Sequence, residues 1–338
     1  MFRENLINLI KGQNLSDPEM SQMILDIFSG DITDAQIGAF MAALAAKGET
    51  FEELAGAARA MRKKAVRIQV SSPVVVDTCG TGGDGSNTFN ISTTTAFVVA
   101  GCGVVVAKHG NRSVSSNCGS ADVLEALGVK LDLDPEMVEE AIEEVGIGFL
   151  FAPHYHGAMK YALNARQQVG IRSIFNMLGP LSNPAAANCQ LLGVYAPQLT
   201  EMFARSLNLL GVKRAFVVHG HDGLDEISVC APTRISELNC GQIKTYDLNP
   251  ETYFEALADP GDLCGGDVTT NAEITQTVLA GKKGPKRNIV LLNASAALVA
   301  AEKANDFFEG IKLAETSIDT GAAMDKLSRL VRFTQENG

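Results

Sequence analysis

The chain is short of cations, has no tryptophan, and carries no cysteine pair at metal-site or redox spacing. Lys and Arg number 28 against 39 Asp and Glu, a formal net charge of −11. That balance argues against a protein that depends on wrapping duplex nucleic acid. A small anionic ligand stays open, because local cations decide its binding. The 7 cysteines, at positions 79, 102, 118, 189, 230, 240 and 264, are odd in number and scattered without a CxxC. They fit reduced cytoplasmic thiols better than a disulfide framework or a zinc site. No uninterrupted apolar run approaches the ~20 residues that span a bilayer. The opening MFRENLINLIKGQN sets Arg3, Glu4 and Lys11 around a short apolar patch and lacks a small-residue cleavage site. It predicts an ordinary helix rather than a signal peptide. Internal repeats and low-complexity segments are also missing. What is present is a hydrophobic fraction of 46% in 338 residues, enough for a substantial core in one large domain or two modest ones.

Residues 1–70 read as helical throughout. Three capping boxes follow one another, Ser16-x-x-Glu19, Thr33-x-x-Gln36 and Thr50-x-x-Glu53, with Gly30 and Gly48 near the expected helix ends. Between the glycines, AQIGAFMAALAAKG is alanine-rich and apolar all round. It predicts a helix buried on more than one face, of a kind that often builds a dimer interface. From Val74 the rhythm changes. VVVDT (74–78), GVVVAKH (103–109), IGFLFAP (147–153), QLLGVYAP (190–197), RAFVVHG (214–220) and NIVLLNAS (288–295) read as strands. Helical stretches such as ADVLEALG and DPEMVEEAIEEVG separate them, the latter opened by Asp134-Pro135. Continuous apolar strands alternating with helices predict an α/β fold with a mostly parallel central sheet covered on both faces. Ligands of such folds sit at the carboxyl ends of the strands.

The segment VVVDTCGTGGDGSNTFNIST, residues 74–93, contains Gly80-x-Gly82-x-x-Gly85, on paper the dinucleotide fingerprint. A true dinucleotide site starts its helix at the glycines and places an acidic residue after the second strand. Here the loop runs on to Asn90, and the second strand ends in Lys108-His109. No lysine follows the glycines at the spacing of a Walker A loop either. A broad anion cradle remains. Gly80, Gly82, Gly83 and Gly85 let the backbone pass close to a ligand with N–H groups exposed. Thr88, Asn90, Ser92 and Thr93 lie where the next helix begins, and a helix N-terminus favours anions. The second strand end adds Lys108, His109, Asn111, Arg112, Ser113, Ser115, Ser116 and Ser120. Two such loops facing one crevice point to a phosphorylated ligand, although either alone would read as a turn.

A further strand end, FVVHGHDGLDEIS, supplies Asp222, Asp225 and Glu226. Alone they would be solvated loop carboxylates; opposite two phosphate loops they become candidate Mg²⁺ ligands, since Mg²⁺ favours a few carboxylates, waters and substrate phosphates. His219-x-His221-x-x-x-Asp225 is a weak transition-metal pattern, with no third histidine or cysteine suitably placed.

Taken together, CGTGGDGSNTFNIST, KHGNRSVSSNCGSADVLEALG, RSIFNMLGPLSNPA, HGHDGLDEIS and GPKRNIVLLNASAAL resemble the anthranilate phosphoribosyltransferases of tryptophan biosynthesis, from the N-terminal helices to near the C-terminus. The resemblance implies a small helical domain, residues 1–70 joined by helices from about 160–185, hinged to an α/β domain over 71–338. It implies a cytoplasmic homodimer formed through the helical domain. It implies that Gly80, Gly83, Asp84, Thr88, Asn90, Ile91, Ser92 and Thr93 hold 5-phosphoribosyl 1-pyrophosphate. Lys108, His109, Gly110, Asn111, Arg112, Ser113, Val114, Ser115, Ser116 and Ser120 would complete that site. Gly80, Asn111 and Arg166 would receive anthranilate, and Ser92, Asp225 and Glu226 would bind Mg²⁺. One segment departs from the pattern. Where the family commonly reads His-Pro-Ala-Met and then Pro-Val-Arg, this chain has His156-Gly157-Ala158-Met159 and Asn164-Ala165-Arg166, leaving the shape of the anthranilate entrance open.

The implied reaction needs no strong base, because an aniline nitrogen is already neutral at cellular pH; no general base is assigned, and Lys108, Asp225 and Glu226 carry the electrostatic part. His109 stands as either a proton acceptor after attack or a structural, stacking residue. Two other readings remain: a nucleoside phosphorylase of the same fold, and an inert relative that binds nucleic acid. The lack of tryptophan suits an enzyme needed when that amino acid is scarce, though many proteins share it.

Overall fold

The computed structural model describes residues 1–113 and 118–338. Four helices open the chain: α1 (Phe2–Ile10), α2 (Asp17–Ser29), α3 (Asp34–Lys47) and α4 (Phe51–Lys64). The predicted capping boxes all form, at Ser16, Thr33 and Thr50. In α3, however, only one stripe is buried, formed by Ile37, Phe40, Met41 and Leu44. Ala35, Ala39, Ala42 and Ala45 face outward. The expectation of burial on several faces was wrong for the single chain, because alanine raises apolar content while having little surface to hide.

The alternating part begins with β1 (Val75–Gly80), α5 (Ile91–Gly101), β2 (Val105–Gly110), α6 (Ser120–Ala126), α7 (Pro135–Val145) and β3 (Ile147–Phe151). A short turn α8 (Ala152–Tyr155) leads to α9 (Lys160–Val169) and α10 (Ile174–Met177). Helix α9 packs against α2 and α3. Then come β4 (Cys189–Gly193), α11 (Leu199–Leu209), β5 (Arg214–Gly220), β6 (Thr233–Asn239) and β7 (Gln242–Leu248). The chain closes with α12 (Val268–Leu279), α13 (Pro285–Ala300), α14 (Phe307–Asp319) and α15 (Ala322–Asn337).

The seven strands form one sheet in the order β3-β2-β1-β4-β5-β6-β7. The first five are parallel, and β6 and β7 add an antiparallel edge. Two differences from the sequence reading stand out. NIVLLNAS is not a strand but the middle of α13, buried on nearly every side. A short apolar run cannot be told from a buried helix by pattern alone, and the preceding Gly284-Pro285 is a helix start. The hairpin of β6 and β7 was not anticipated, since its alternating, partly polar residues lack the continuous apolar run of the inner strands.

Strand β5 shows how the layers divide. Phe216 and Val218 point into the core with α5 and α13, whereas Ala215 and Val217 point into the core shared with α11 and the N-terminal helices. From β1 the chain moves outward through β2 and β3, then returns to β4 on the other flank. That reversal at β1 opens a crevice beyond the carboxyl ends of the strands, the place where open α/β sheets bind ligands.

Candidate active site

Strand β1 ends at Gly80 and releases the glycine loop into this crevice. Gly80 lies so close to the acidic loop after β5 that a Cβ there would come within 2.5 Å of Asp225 Oδ2. The Gly82 N–H donates to the same carboxylate oxygen at 2.9 Å, and Thr81 N–H donates to the Gly193 carbonyl at 2.9 Å. The far arm of the loop is pinned by the segment before α12, where Phe89 N–H donates to Leu263 and Gly265 N–H to Asn87. Asn90 then caps α5, its amide donating to the Cys118 carbonyl at 3.1 Å. Asn90 Oδ1 and Thr93 Oγ1 are buried polar atoms with no hydrogen-bond partner among the described residues. Both lie on the cavity lining, and such atoms are costly unless a ligand or water engages them.

The end of β2 brings a buried cation into the same wall. Lys108 Nζ donates to the Thr78 carbonyl and to Ser92 Oγ. Burial lowers its pKa, opposed by Asp77, Cys79 and Glu226 nearby. His109 is held by its neighbours on both sides. Its backbone N–H donates to Asp77, its Nδ1 lies 3.1 Å from the Gly179 carbonyl, and its Nε2 lies 3.2 Å from Nε2 of His156. Since a carbonyl only accepts, the proton of neutral His109 sits on Nδ1, and His156 donates across the pair. Burial pushes His109 down to about 3 and His156 down to about 4, so both are neutral near pH 7. Arg112 is committed elsewhere, paired with Asp122 and Glu125 at 2.9 and 2.8 Å. Ser120 Oγ donates to the Asn111 carbonyl. Val114, Ser115 and Ser116 lie outside the described residues.

The acidic loop after β5 adds Asp225 and Glu226 to the lining. The pKa of Glu226 is raised well above the usual carboxylate range by burial and by Asp225. That of Asp225 is raised by burial and by Asp84. Three carboxyl groups thus crowd one wall, with Lys108 the cation beside them. Ser92 and Glu226 both neighbour Lys108, and the three proposed metal-binding residues, Ser92, Asp225 and Glu226, line the same cavity. Asp222 does not join them: its carboxylate accepts from Ser228 Oγ at 2.6 Å. His219 turns to the Val194 carbonyl and His221 to Asp247. The described residues contain no group of three or more His, Cys, Asp or Glu fit to hold a metal alone.

Arg166 on α9 lines the same cavity, whose volume is about 960 Å³. Burial lowers its pKa, its guanidinium lies 5.7 Å from the Phe175 ring centroid, and its side chain has no hydrogen bond or ion pair among the described residues. Asn111, Gly179 and Pro180 line the cavity as well. The sequence reading missed Arg172 and Tyr195 as lining residues and named His156 only as part of the departing segment. The motif segment around Arg172 could have signalled it but was not read for chemistry.

Fold and cavity together define a two-part glycosyltransferase. Residues 3–65 match the glycosyl transferase family's helical bundle domain and residues 72–324 its a/b domain. The chain is 68% identical over 339 residues to the anthranilate phosphoribosyltransferase of Desulfosudis oleivorans, with both chains fully covered. It is 67% identical over 337 residues to that of Syntrophobacter fumaroxidans, again over both full lengths. The crystal structure of the Thermus thermophilus enzyme superposes with a TM-score of 0.93 at 40% identity, covering 98% of this chain and 99% of that one. The Saccharomyces cerevisiae enzyme, solved in complex with PRPP and Mg, gives 0.88 at 28% identity over 98% of both chains. The chain belongs to the anthranilate phosphoribosyltransferase family.

Proposed function

We infer that the chain transfers the phosphoribosyl group of 5-phosphoribosyl 1-pyrophosphate to the amine of anthranilate, releasing pyrophosphate, as a step of L-tryptophan biosynthesis. The observation that carries this reading is a single cavity with unlike walls. An anion cradle with a buried lysine and crowded carboxylates shares it with a guanidinium that has no partner among the described residues and suits the carboxylate of an aromatic acid.

The residues present fit a magnesium ion. Burial raises the pKa of both Asp225 and Glu226, with Asp84 adding to the first and Asp225 to the second, so a bound cation would stabilise their charged forms. Asp225, Glu226 and Ser92 would hold it, with substrate oxygens and water filling the remaining positions. When bound, it supplies charge neutralisation for the departing pyrophosphate. The protein's own groups do the rest. In the reaction the N–C1 bond forms, the C1–O bond breaks with its electron pair leaving on pyrophosphate, and the amine loses one proton. Lys108 and the glycine-loop N–H groups stabilise the negative charge that grows on the leaving group. Gly80, Gly83, Asp84, Thr88, Asn90–Thr93, Lys108–Asn111, Ser113 and Ser120 embrace the donor. Arg166, with Asn111 and Gly80, holds anthranilate by its carboxylate and leaves the amine free. Fixing two reactants in this way is worth ~7–11 kcal/mol of barrier.

The protein works in the cytoplasm as a homodimer joined through its helical part. Support comes from the exposed Ile7 and Ile10 on α1 and Tyr161 and Leu163 on α9, together with the outward alanines of α3, an apolar surface of the kind that marks interfaces. No helix among the described residues is long and apolar enough to cross a membrane. The direct test is to mix protein, Mg²⁺, phosphoribosyl pyrophosphate and anthranilate and follow loss of anthranilate fluorescence. Turnover is the expected result; silence there, with phosphorolysis of thymidine instead, would reassign the protein to the nucleoside phosphorylases.

A further inference from the structure

The near arm of the glycine loop is tied at Thr81, Gly82 and Gly83, and the tie at Gly83 comes from the segment that follows α9. Thr81 is tied to the end of β4 and Gly82 to Asp225. Gly83 is tied to Arg172, whose Nη2 donates to its carbonyl at 3.0 Å. The fit is close enough that a Cβ on Gly83 would come within 2.5 Å of that nitrogen. The Arg172 guanidinium also lies 3.8 Å from the ring centroid of Tyr195, and the Tyr195 N–H donates to Thr81 Oγ1 at 3.1 Å. Arginine, tyrosine and loop thus form a closed circuit at the mouth of the donor cradle.

Arg172 sits on the short link between α9 and α10, and both ends of that link are fixed. Gly170 ends α9 in the left-handed conformation at φ 66°, its N–H bonded to the Arg166 carbonyl. Ser173 starts α10, its N–H bonded to Asn176 Oδ1. The segment that carries the acceptor-binding arginine therefore also carries the arginine that grips the donor loop. A planar guanidinium can stack on a ring and donate in its own plane at once; a lysine cannot.

We propose that Arg172 is a positioning residue for the phosphoribosyl donor, holding the Gly82–Gly83 turn in its anion-binding shape from the acceptor side. This rests on the proposed phosphoryl role of the loop. Arg172 is itself exposed, so its removal leaves the cores intact.

The test is steady-state kinetics on Arg172→Ala, Arg172→Lys and Tyr195→Leu, with calorimetric titration of magnesium pyrophosphate as a probe independent of turnover. For Arg172→Ala, KM for phosphoribosyl pyrophosphate rises about tenfold, the size expected for one charge-assisted hydrogen bond with its stacking partner. KM for anthranilate stays within about twofold, and pyrophosphate affinity falls in parallel with the donor effect. Lysine recovers only part of the loss, and Tyr195→Leu shows a smaller loss of the same kind. Unchanged donor KM and pyrophosphate affinity would overturn the proposal, even with a lowered Tm. Equal weakening of both substrates would overturn it too, showing a general hinge role. If the wild type itself does not turn over while pyrophosphate binding still depends on Arg172, it is the assigned reaction that fails and not this inference.

Discussion

Asp225 Oδ2 accepts the Gly82 N–H at 2.9 Å across 143 residues of chain. One of the carboxylates that crowd the cavity therefore also shapes the glycine loop. Asp225→Asn combined with Glu226→Gln is expected to lower kcat by at least about 100-fold, the scale of losing a preorganised charge-stabilising group, and to remove the Mg²⁺ dependence. Folding survives, because the native carboxyls are already pushed toward their neutral forms and the amides are neutral isosteres. Kinetics with and without Mg²⁺, beside a thermal melt, check both halves. Near wild-type turnover would reduce the pair to bystanders.

Gly80→Val tests the loop directly. The added Cβ meets Asp225 Oδ2 at 2.5 Å, so either the loop or the carboxylate must move. Affinity for phosphoribosyl pyrophosphate, measured by calorimetry, should drop about tenfold or more, and anthranilate binding, which shares Gly80, should weaken too. Unaltered donor affinity would place the cradle elsewhere.

The histidine pair predicts a pH dependence of stability. His109 and His156 are lowered in the folded state to about 3 and about 4 from an ordinary value of 6.5. Between pH 6.5 and 4 the unfolded chain takes up protons that the folded chain refuses, so stability is full above pH 6.5 and is lost as pH falls through that window. Thermal melts of His156→Gln should show a shallower decline over that window than the wild type. Parallel curves would mean that the pair is not buried neutral.

Much of this was legible in the sequence, for identifiable reasons. Capping boxes at Ser16, Thr33 and Thr50 are local and form where the spacing put them. The five parallel strands were marked by continuous apolar runs between helices. The α13 run misled because burial on all sides erases periodicity, and the β6–β7 hairpin escaped because an edge strand needs no apolar run. The site divided the same way. Gly80, Lys108 and Asp225 stand at strand ends, where the fold itself gathers ligands. Arg112 looked like an anion receptor but is neutralised by Asp122 and Glu125, partners that only the turn into α6 brings near. His156 and Arg172 matter through contacts with His109 and Gly83, across 47 and 89 residues, which no local pattern records.

The central claim is that one cavity brings a ribosyl donor to an aromatic amine held by its carboxylate, with Arg166 as the holder. The most direct measurement compares kcat/KM for anthranilate and for aniline, which lacks the carboxylate, in the wild type and in Arg166→Ala. The wild type should prefer anthranilate strongly, by roughly 10- to 150-fold, as expected for one charge-assisted pair. Arg166→Ala should lose most of that preference through a raised KM for anthranilate, and Arg166→Lys should regain only part, since a point charge cannot fix a carboxylate's orientation. An Arg166→Ala protein that keeps the full preference would contradict the account and move the carboxylate receptor to another wall of the cavity.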